Sequence, residues 1–154
     1  MTNFISQLLR FVALTSTKNK IDETHGLSHA IDVLNYSQKI FKTEVYEFPP
    51  LQRYEKLIYT SAVIHDMCDN KYVDEGIGMA EIDSFLDTKM KMTSQERREV
   101  KDIISTMSYS KVIKEGFPKL GEHQRAYHVV READLMSAYD FNRCMLYKMH
   151  SEMS

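Results

Sequence analysis

Four ionisable residues stand in segments of this chain that are otherwise mostly apolar. His29 lies in HGLSHAIDVL, the adjacent pair His65 and Asp66 lies in the run SAVIHDM, and Asp134 lies in VVREADLMSA. Burying an unpaired carboxylate costs several kcal/mol, so both aspartates need a cation or strong hydrogen-bond donors. One divalent metal ion would satisfy all four residues. Two imidazoles and two carboxylates suit Mn²⁺, Fe²⁺, Co²⁺, Ni²⁺ or Zn²⁺, whereas Ca²⁺ prefers oxygen ligands.

The adjacency of His65 and Asp66 restricts where such an ion can lie. Neighbouring residues of an α-helix point about 100° apart. An ion held by both must therefore lie in a groove beside the end of their helix, where the longer His and the shorter Asp converge from two sides. Because the ligands come from three distant helices, we expect one or two coordination positions to be left for water and a substrate oxygen.

Three stretches carry these residues along the chain. They are HGLSHAIDVLNYS, SAVIHDMCDNKY and READLMSAYDFNR, and they span most of residues 20–147. This H…HD…D pattern in an all-α chain resembles the HD-domain superfamily of metal-dependent phosphohydrolases, and HDMCDNKY resembles the HDxxDxK segment of its small stand-alone members. The resemblance implies hydrolysis of a phosphate ester or anhydride, often in a nucleotide. It also implies one divalent transition metal ion, with Mn²⁺ as the first expectation, held by His29, His65, Asp66 and Asp134.

The same resemblance suggests roles for residues around the expected ion. Asp66 would both bind the ion and orient or deprotonate a water molecule. Asp69 lies three residues further on, at an offset where the alarmone hydrolases of the superfamily carry a catalytic acidic residue, and on a continuing helical turn it would face the same side as Asp66. Contacts with phosphate or the leaving group are expected of His25, of Lys71, and of Arg131, which lies one turn before Asp134, because cationic side chains suit phosphate oxygens.

Other interpretations of these motifs can be tested on the sequence. No Glu follows His25 directly, so the HExxH metalloprotease motif does not occur there. No GYP element of the HD-GYP phosphodiesterases follows, and the spare ligands for a di-iron oxygenase, His123 and His128, are too close to Asp134 in sequence. Together with His150, these two histidines are expected to do no chemistry. The principal alternative is a non-catalytic, metal-stabilised module that binds or senses a nucleotide.

Hydrophobic periodicity predicts an all-α fold, a single-domain helical bundle of six or seven helices like an HD domain. The third helix is apolar around most of its circumference and is therefore expected at the centre. Thr93-Ser94-Gln95-Glu96 is a capping box that starts a further helix, and residues 109–122 are expected to form a loop. The predicted helices are 3–15, one from His25 or Gly26 to about Thr43 with Thr24 as N-cap, 51–67, 76–89, one starting at 94, and about 122–149 with a break near Tyr139 and Asp140.

Composition agrees with one domain over residues 1–154, with 1–20 as an N-terminal helix and loop and 148–154 as a tail. Of the 154 residues, 43% are hydrophobic and 27% charged, while Gly (5) and Pro (3) are few. The 20 basic and 22 acidic side chains give a net charge of -2, which excludes a strongly basic protein that coats long nucleic acid. A small anionic substrate stays compatible, because a local site can oppose the global sign.

The N-terminal segment and the cysteines predict the compartment. MTNFISQLLRFVALTSTKNK has neither a preceding basic region nor an A-x-A site, so it predicts a helix and not a signal peptide. No apolar run reaches the roughly 18 residues of a membrane span. Cys68 and Cys144 form no CxxC, and two reduced thiols are favoured over one disulfide. These features predict a cytoplasmic protein without a membrane partner that acts on a small phosphorylated molecule, and they leave a homodimer open.

Overall fold

The computed structural model describes the backbone of residues 1–153 and the side chains of residues 1–139. The all-α prediction is confirmed, because the described backbone forms seven α-helices and no strand. Cys144, His150 and the predicted tail at 148–154 lie outside the described side chains. The helices are α1 (Thr2–Asn19), α2 (Leu27–Glu47), α3 (Glu55–Ile64), α4 (Glu75–Thr88), α5 (Ser94–Ile104), α6 (Tyr109–Glu115) and α7 (Gln124–Met153), with 3₁₀ segments at Pro49–Tyr54 and Gly121–His123.

The apolar helix α3 lies at the centre of the bundle, as its sequence predicts. Every residue from 57 to 64 is buried, including the hydroxyl-bearing Thr60 and Ser61. α3 packs against α1, α2, α5 and α7, so it is enclosed on several sides. His65 and Asp66 follow directly in a turn. The side chains of His65 and Asp66 therefore lie at the C-terminal end of the most buried helix of the bundle.

The start of α2 differs from the prediction. Gly26 occupies the N-cap position of α2, and the side chain of Thr24 does not cap the helix. The Thr24 hydroxyl donates instead to the carboxylate of Asp22. A Cβ at Gly26 would lie 2.9 Å from the Asp22 carbonyl oxygen, so this turn is too tight for a side chain. His25 therefore lies in the turn before α2 and is not part of its first helical turn.

The third predicted helix, 51–67, is divided into two parts. Pro49–Tyr54 forms a 3₁₀ segment with proline at its first positions, and the α-helix itself covers Glu55–Ile64. Proline lacks an N–H group and so suits a first helical turn, which is why the chain becomes helical again soon after α2. The capping box is confirmed, since the Thr93 hydroxyl accepts from the Glu96 backbone N–H and the Glu96 carboxylate accepts from the Thr93 N–H.

Two further predictions about helices are wrong. The segment 109–122, expected to be a loop, contains α6, which is capped by the Ser108 hydroxyl accepting from the Lys111 backbone N–H. Each residue of α6 is exposed or half-buried, so an apolar period could not mark it. α7 runs through Tyr139 and Asp140 without the expected break. Along the described backbone, no helix combines the length and hydropathy needed to cross a membrane.

Gly78 on α4 controls how closely this helix approaches the segment after Asp66. A Cβ at Gly78 would lie 3.0 Å from the Cys68 Cα and 3.1 Å from the Val73 Cγ1. Cys68 is itself buried, in the turn that begins at His65. The absence of a side chain at Gly78 therefore lets α4 pack directly against the backbone that carries the His-Asp pair.

We expect Gly78→Ala to lower the free energy of unfolding by about 1–3 kcal/mol, the usual cost of forcing a methyl group into a packed contact. Gly76→Ala is the matched control, because its Cβ would meet only an Asp74 carboxylate oxygen at 3.2 Å. Alanine is favoured over glycine within a helix by roughly 0.5–1 kcal/mol, which offsets a small displacement of the Asp74 cap, so the control should cost less stability than Gly78→Ala. Chemical denaturation measures both, and equal stabilities would contradict the close packing at Gly78.

Candidate metal centre

The four predicted metal ligands lie where α2, the turn after α3, and α7 meet. Atoms of His29, His65 and Asp66 lie within 4.8 Å of one another, and Asp134 contacts both imidazoles. His29 Nε2 lies 3.1 Å from Asp134 Oδ1, 3.3 Å from His65 Nε2 and 3.4 Å from Asp66 Oδ2. His65 Nε2 lies 3.3 Å from each of the same two carboxylate oxygens. Residues that are up to 105 positions apart in sequence therefore present two nitrogens and two oxygens to a common centre.

The spacing of these atoms fits a small divalent ion. Ligand atoms about 2.1 Å from a shared ion lie about 3.0 Å apart at a right angle and about 3.4 Å apart at the tetrahedral angle. The five distances between imidazole nitrogens and their neighbours here, 3.1 to 3.4 Å, fall within that interval. The donor set itself, two imidazoles and two carboxylates, suits a transition metal better than Ca²⁺. His29, His65 and Asp66 could therefore hold an ion together, with Asp134 Oδ1 beside both imidazole nitrogens.

Hydrogen bonds behind both imidazoles orient them toward the centre. His65 Nδ1 lies 2.8 Å from the Ala62 carbonyl oxygen, to which it donates, and this leaves Nε2 to face the other ligands. His29 Nδ1 lies 3.3 Å from the hydroxyl of Ser137, which is buried one turn after Asp134 on α7. Such partners fix the ring orientation and the tautomer of metal-binding histidines. Sequence reasoning missed Ser137, although its i+3 spacing from Asp134 places both on one helix face.

Electrostatics keep both carboxylates ionised despite their burial. Burial alone raises the pKa of Asp66, but the His65, His25 and His29 imidazoles outweigh it and hold this pKa well below its usual range. For Asp134, burial likewise raises the pKa, and His65 and His29 reverse the effect. Burial lowers the pKa of His65, whereas the two carboxylates raise it well above its usual value. The cluster thus concentrates negative charge that needs protons or a cation beside it.

His25 and Asp69 lie on the outer side of Asp66. His25 Nδ1 is 3.1 Å from Asp66 Oδ2, and this hydrogen bond raises the pKa of His25. The side chains of His25, Asp66 and Asp69 each offer an atom within 4.8 Å of the others. Asp69 does not lie on a continuing helical turn as predicted, because α3 has ended. A turn brings it beside Asp66 instead, and its Oδ1 accepts from the Lys71 backbone N–H at 2.9 Å.

Two clefts meet at the cluster and share its residues His25, Asp66 and Asp134. One cleft of about 540 Å³ extends past Asp69 toward α6, and its wall includes Lys71 and other polar side chains. The other cleft, of about 400 Å³, extends along the start of α2 and the α7 face that carries Ser137. The ligand cluster therefore forms the border between two open spaces, each large enough for part of a small organic molecule.

Lys111 is a residue of the first cleft that sequence reasoning missed. It lies on α6, in the segment that was expected to be a loop, and it lines the same cleft as Lys71. Its ammonium group donates to the Ser105 carbonyl oxygen at 2.6 Å and lies 3.4 Å from Glu75 Oε1. The only signal in the sequence was the Ser108-x-x-Lys111 spacing of a helix N-cap, which does not distinguish a binding lysine from a solvated one.

The structure does not bring Arg131 to the clefts. Its guanidinium lies 5.1 Å from the centre of the Phe117 ring, and its Nε is buried without a hydrogen-bond partner among the described residues. Arg131 contributes to the wall of neither cleft described above. The i+3 spacing from Asp134 suggested a shared helix face, but the guanidinium lies over the Phe117 ring. Its role as a substrate contact stays a prediction without geometric support.

A more voluminous groove, about 760 Å³, lies elsewhere between α2 and α7. Its wall is mainly apolar and includes Tyr36, Ile40, Leu135 and Met136. The converging ionisable groups lie outside it, so size alone does not identify the functional site.

No protein-family model, curated protein or solved structure matches this chain. The function must therefore be inferred from the cluster and its two clefts.

We expect His29→Ala to reduce bound metal from about one ion per chain to near zero, because it removes one ligand of the cluster. His128→Ala is the matched control, since His128 lies on α7 against Phe117 and Gln124. Elemental analysis after loading with Mn²⁺ and desalting measures the ion content. Equal metal content in the two variants would show that His29 is not a ligand.

Metal loading should also stabilise the fold. An ion present at 100 times its dissociation constant adds about 2.7 kcal/mol to the free energy of unfolding when it binds the native state alone. We expect the midpoint of thermal unfolding to rise with Mn²⁺ and to fall again with a chelator, in the wild-type chain and in His128→Ala. An equal rise in His29→Ala would place the stabilising ion elsewhere.

Proposed function

We propose that this chain is a metal-dependent phosphohydrolase that cleaves a phosphate ester or anhydride of a small molecule, with nucleotides as the expected substrate class. The observation that carries the proposal is the convergence of His29, His65, Asp66 and Asp134 at the border of two clefts. A structural ion would be expected in a closed site, whereas a catalytic ion needs open positions. The resemblance to HD-domain phosphohydrolases points to the same chemistry.

The ion is held by these four residues in the proposal, with Mn²⁺ as the first choice. When bound, it supplies Lewis acidity toward a phosphoryl oxygen and lowers the pKa of a water molecule. Asp66 has an additional task, because its Oδ2 also accepts a hydrogen bond from His25 Nδ1. Asp66 therefore couples the ligand cluster to the residues that face the substrate.

Asp69 is the candidate base for the attacking water. It is half-buried next to Asp66, and the backbone N–H of Lys71 holds one of its carboxylate oxygens. The other oxygen is available to accept a proton from water, which is the task of a general base. Because Asp69 lies beyond the four-ligand cluster, its removal should affect proton transfer more than ion binding.

His25 and Lys71 are the candidate contacts for the phosphoryl group. His25 lines both clefts, and its hydrogen bond to Asp66 favours the imidazolium form. Its remaining N–H can donate to a phosphoryl oxygen or to the leaving oxygen. Lys71 is exposed at the rim of the larger cleft, where its ammonium group can approach phosphate as a point charge.

We expect Asp69→Asn to lower kcat by about 10²–10⁴-fold, the usual contribution of a general base, while the metal content stays near that of the wild type. Asp87→Asn is the control, because Asp87 is an exposed carboxylate paired with Arg97 on another part of the surface. Asp66→Ala should lose both metal and turnover. Release of phosphate or pyrophosphate is measured on a panel of nucleotides and 4-nitrophenyl phosphate with Mn²⁺, Co²⁺, Ni²⁺ or Zn²⁺.

The panel also tests the alternative function. A metal-loaded chain that binds a nucleotide but releases no product with any of these ions would contradict the hydrolase and favour a non-catalytic sensing module. An Asp66→Ala variant that keeps its metal and full turnover would contradict the assignment of the site itself. Full activity in Asp69→Asn would remove only the proposed base.

A further inference from the structure

The two clefts that border the candidate metal centre differ in charge. The smaller cleft carries Glu23 and Asp32 in addition to the ligand carboxylates, and its described lining includes no lysine or arginine. The larger cleft carries two lysines, Lys71 and Lys111, together with Asp69 and Glu75. One divalent cation would balance Asp66 and Asp134. Apart from His25, which lines both clefts, the remaining charged side chains leave the smaller cleft acidic and the larger one balanced. The substrate therefore meets different electrostatics on each side of the ligand cluster.

Lys111 is held so that it can bind an anion in the larger cleft. An ammonium group has three N–H donors. One donates to the Ser105 carbonyl oxygen at 2.6 Å and a second is directed to Glu75 Oε1 at 3.4 Å, which leaves a third donor. The carbonyl contact fixes the long side chain in place, so less conformational entropy is lost when an anion binds. Hydroxyl groups from Ser108 and Ser110 line the same cleft and can donate to phosphate oxygens.

The smaller cleft suits the opposite chemistry. The carboxylate of Asp32 is exposed on α2, one turn after His29 and Ser28, and only accepts hydrogen bonds when it is ionised. It can accept from the hydroxyl groups of a sugar, and hydrogen bonds to an ionised acceptor are the stronger kind. A phosphate placed there would face Glu23 and Asp32 with neither a lysine nor an arginine in the described lining, and such repulsion between like charges is a means of rejecting a ligand.

On the basis of the proposed function, we infer that the substrate carries its phosphate at one end only. The phosphate-bearing end lies on the side of Lys111 and Lys71, and an uncharged, hydroxyl-rich group such as ribose lies on the side of Asp32. Lys111 and Asp32 are then specificity-determining residues that orient the substrate across the ligand cluster. Molecules with phosphate groups at both ends are disfavoured, because one of those groups would enter the acidic cleft.

Two non-hydrolysable probes separate the two ends. Methylphosphonate represents the phosphate end alone, and the phosphonate analogue of ribose 5-phosphate, with a methylene in place of the bridging oxygen, adds the sugar. Calorimetry measures their dissociation constants for the Mn²⁺-loaded full chain. We expect the ribose probe to bind the wild type at least tenfold more tightly than methylphosphonate.

The variants should affect the probes differently. Lys111→Gln should weaken both probes by at least tenfold, and Lys111→Arg should restore both to within threefold of the wild type. Lys114→Gln is the control for charge, since Lys114 is exposed on the same helix and does not line the cleft. Asp32→Asn should remove most of the advantage of the ribose probe and leave methylphosphonate binding unchanged, whereas Asp87→Asn should change neither.

Several results would overturn the inference. They are unchanged binding of both probes in Lys111→Gln, equal weakening of both probes in Asp32→Asn, and equal affinity of the two probes for the wild type. If Lys111→Gln fails to fold, as judged by its thermal unfolding, Lys71→Gln tests the same cleft from a residue outside the helices. Because binding is measured without turnover, a chain that binds in this pattern but hydrolyses nothing contradicts only the proposed function. Turnover without the binding pattern contradicts only the inference.

Discussion

Two ionised carboxylates at the edge of an apolar core form the constraint on which this structure depends. Oxygen atoms of Asp66 and Asp134 lie within 3.4 Å of imidazole nitrogens. After burial, which raises the pKa of both carboxyl groups, His65 has the largest effect and lowers it. Without such partners their burial would cost several kcal/mol each. The buried helix α3 supplies one side of the cluster, while α2 and α7 supply the others. The packing of these three helices therefore determines the electrostatics of the cluster, and the cluster in turn requires these helices to pack together.

Helix ends make this arrangement feasible. His65 and Asp66 could not both point to one centre from the middle of an α-helix, because adjacent residues diverge by about 100°. Both residues lie in the turn after Ile64, where α3 has ended although His65 itself keeps a helical backbone conformation. His25 lies in the turn before α2, and Asp69 follows the turn after α3. The residues that face the substrate in the proposal thus come mainly from short turns, whereas the helices hold those turns in place.

The sequence predicted the juxtaposition of His29, His65, Asp66 and Asp134 better than the surroundings of these residues, for a physical reason. Ionisable residues in apolar segments are costly, so His29, Asp66 and Asp134 could be recognised before any contact was known. Lys111 carries no such signal, because it lies on a short helix without a buried residue. Arg131 was placed by helical spacing alone, and its stacking on Phe117 depends on a long-range contact that local spacing does not encode.

The asymmetry of the two clefts connects the overall charge of the chain with its proposed substrate. A net charge of -2 would repel a phosphorylated molecule weakly at long range. At close range the sign of the electrostatic potential depends on which side chains line each side of the cluster. Placing Glu23 and Asp32 on one side and Lys111 on the other gives the site a direction, which a uniformly basic pocket would lack. Orientation then arises from repulsion at one end as much as from attraction at the other, which is the general route to specificity among similar ligands.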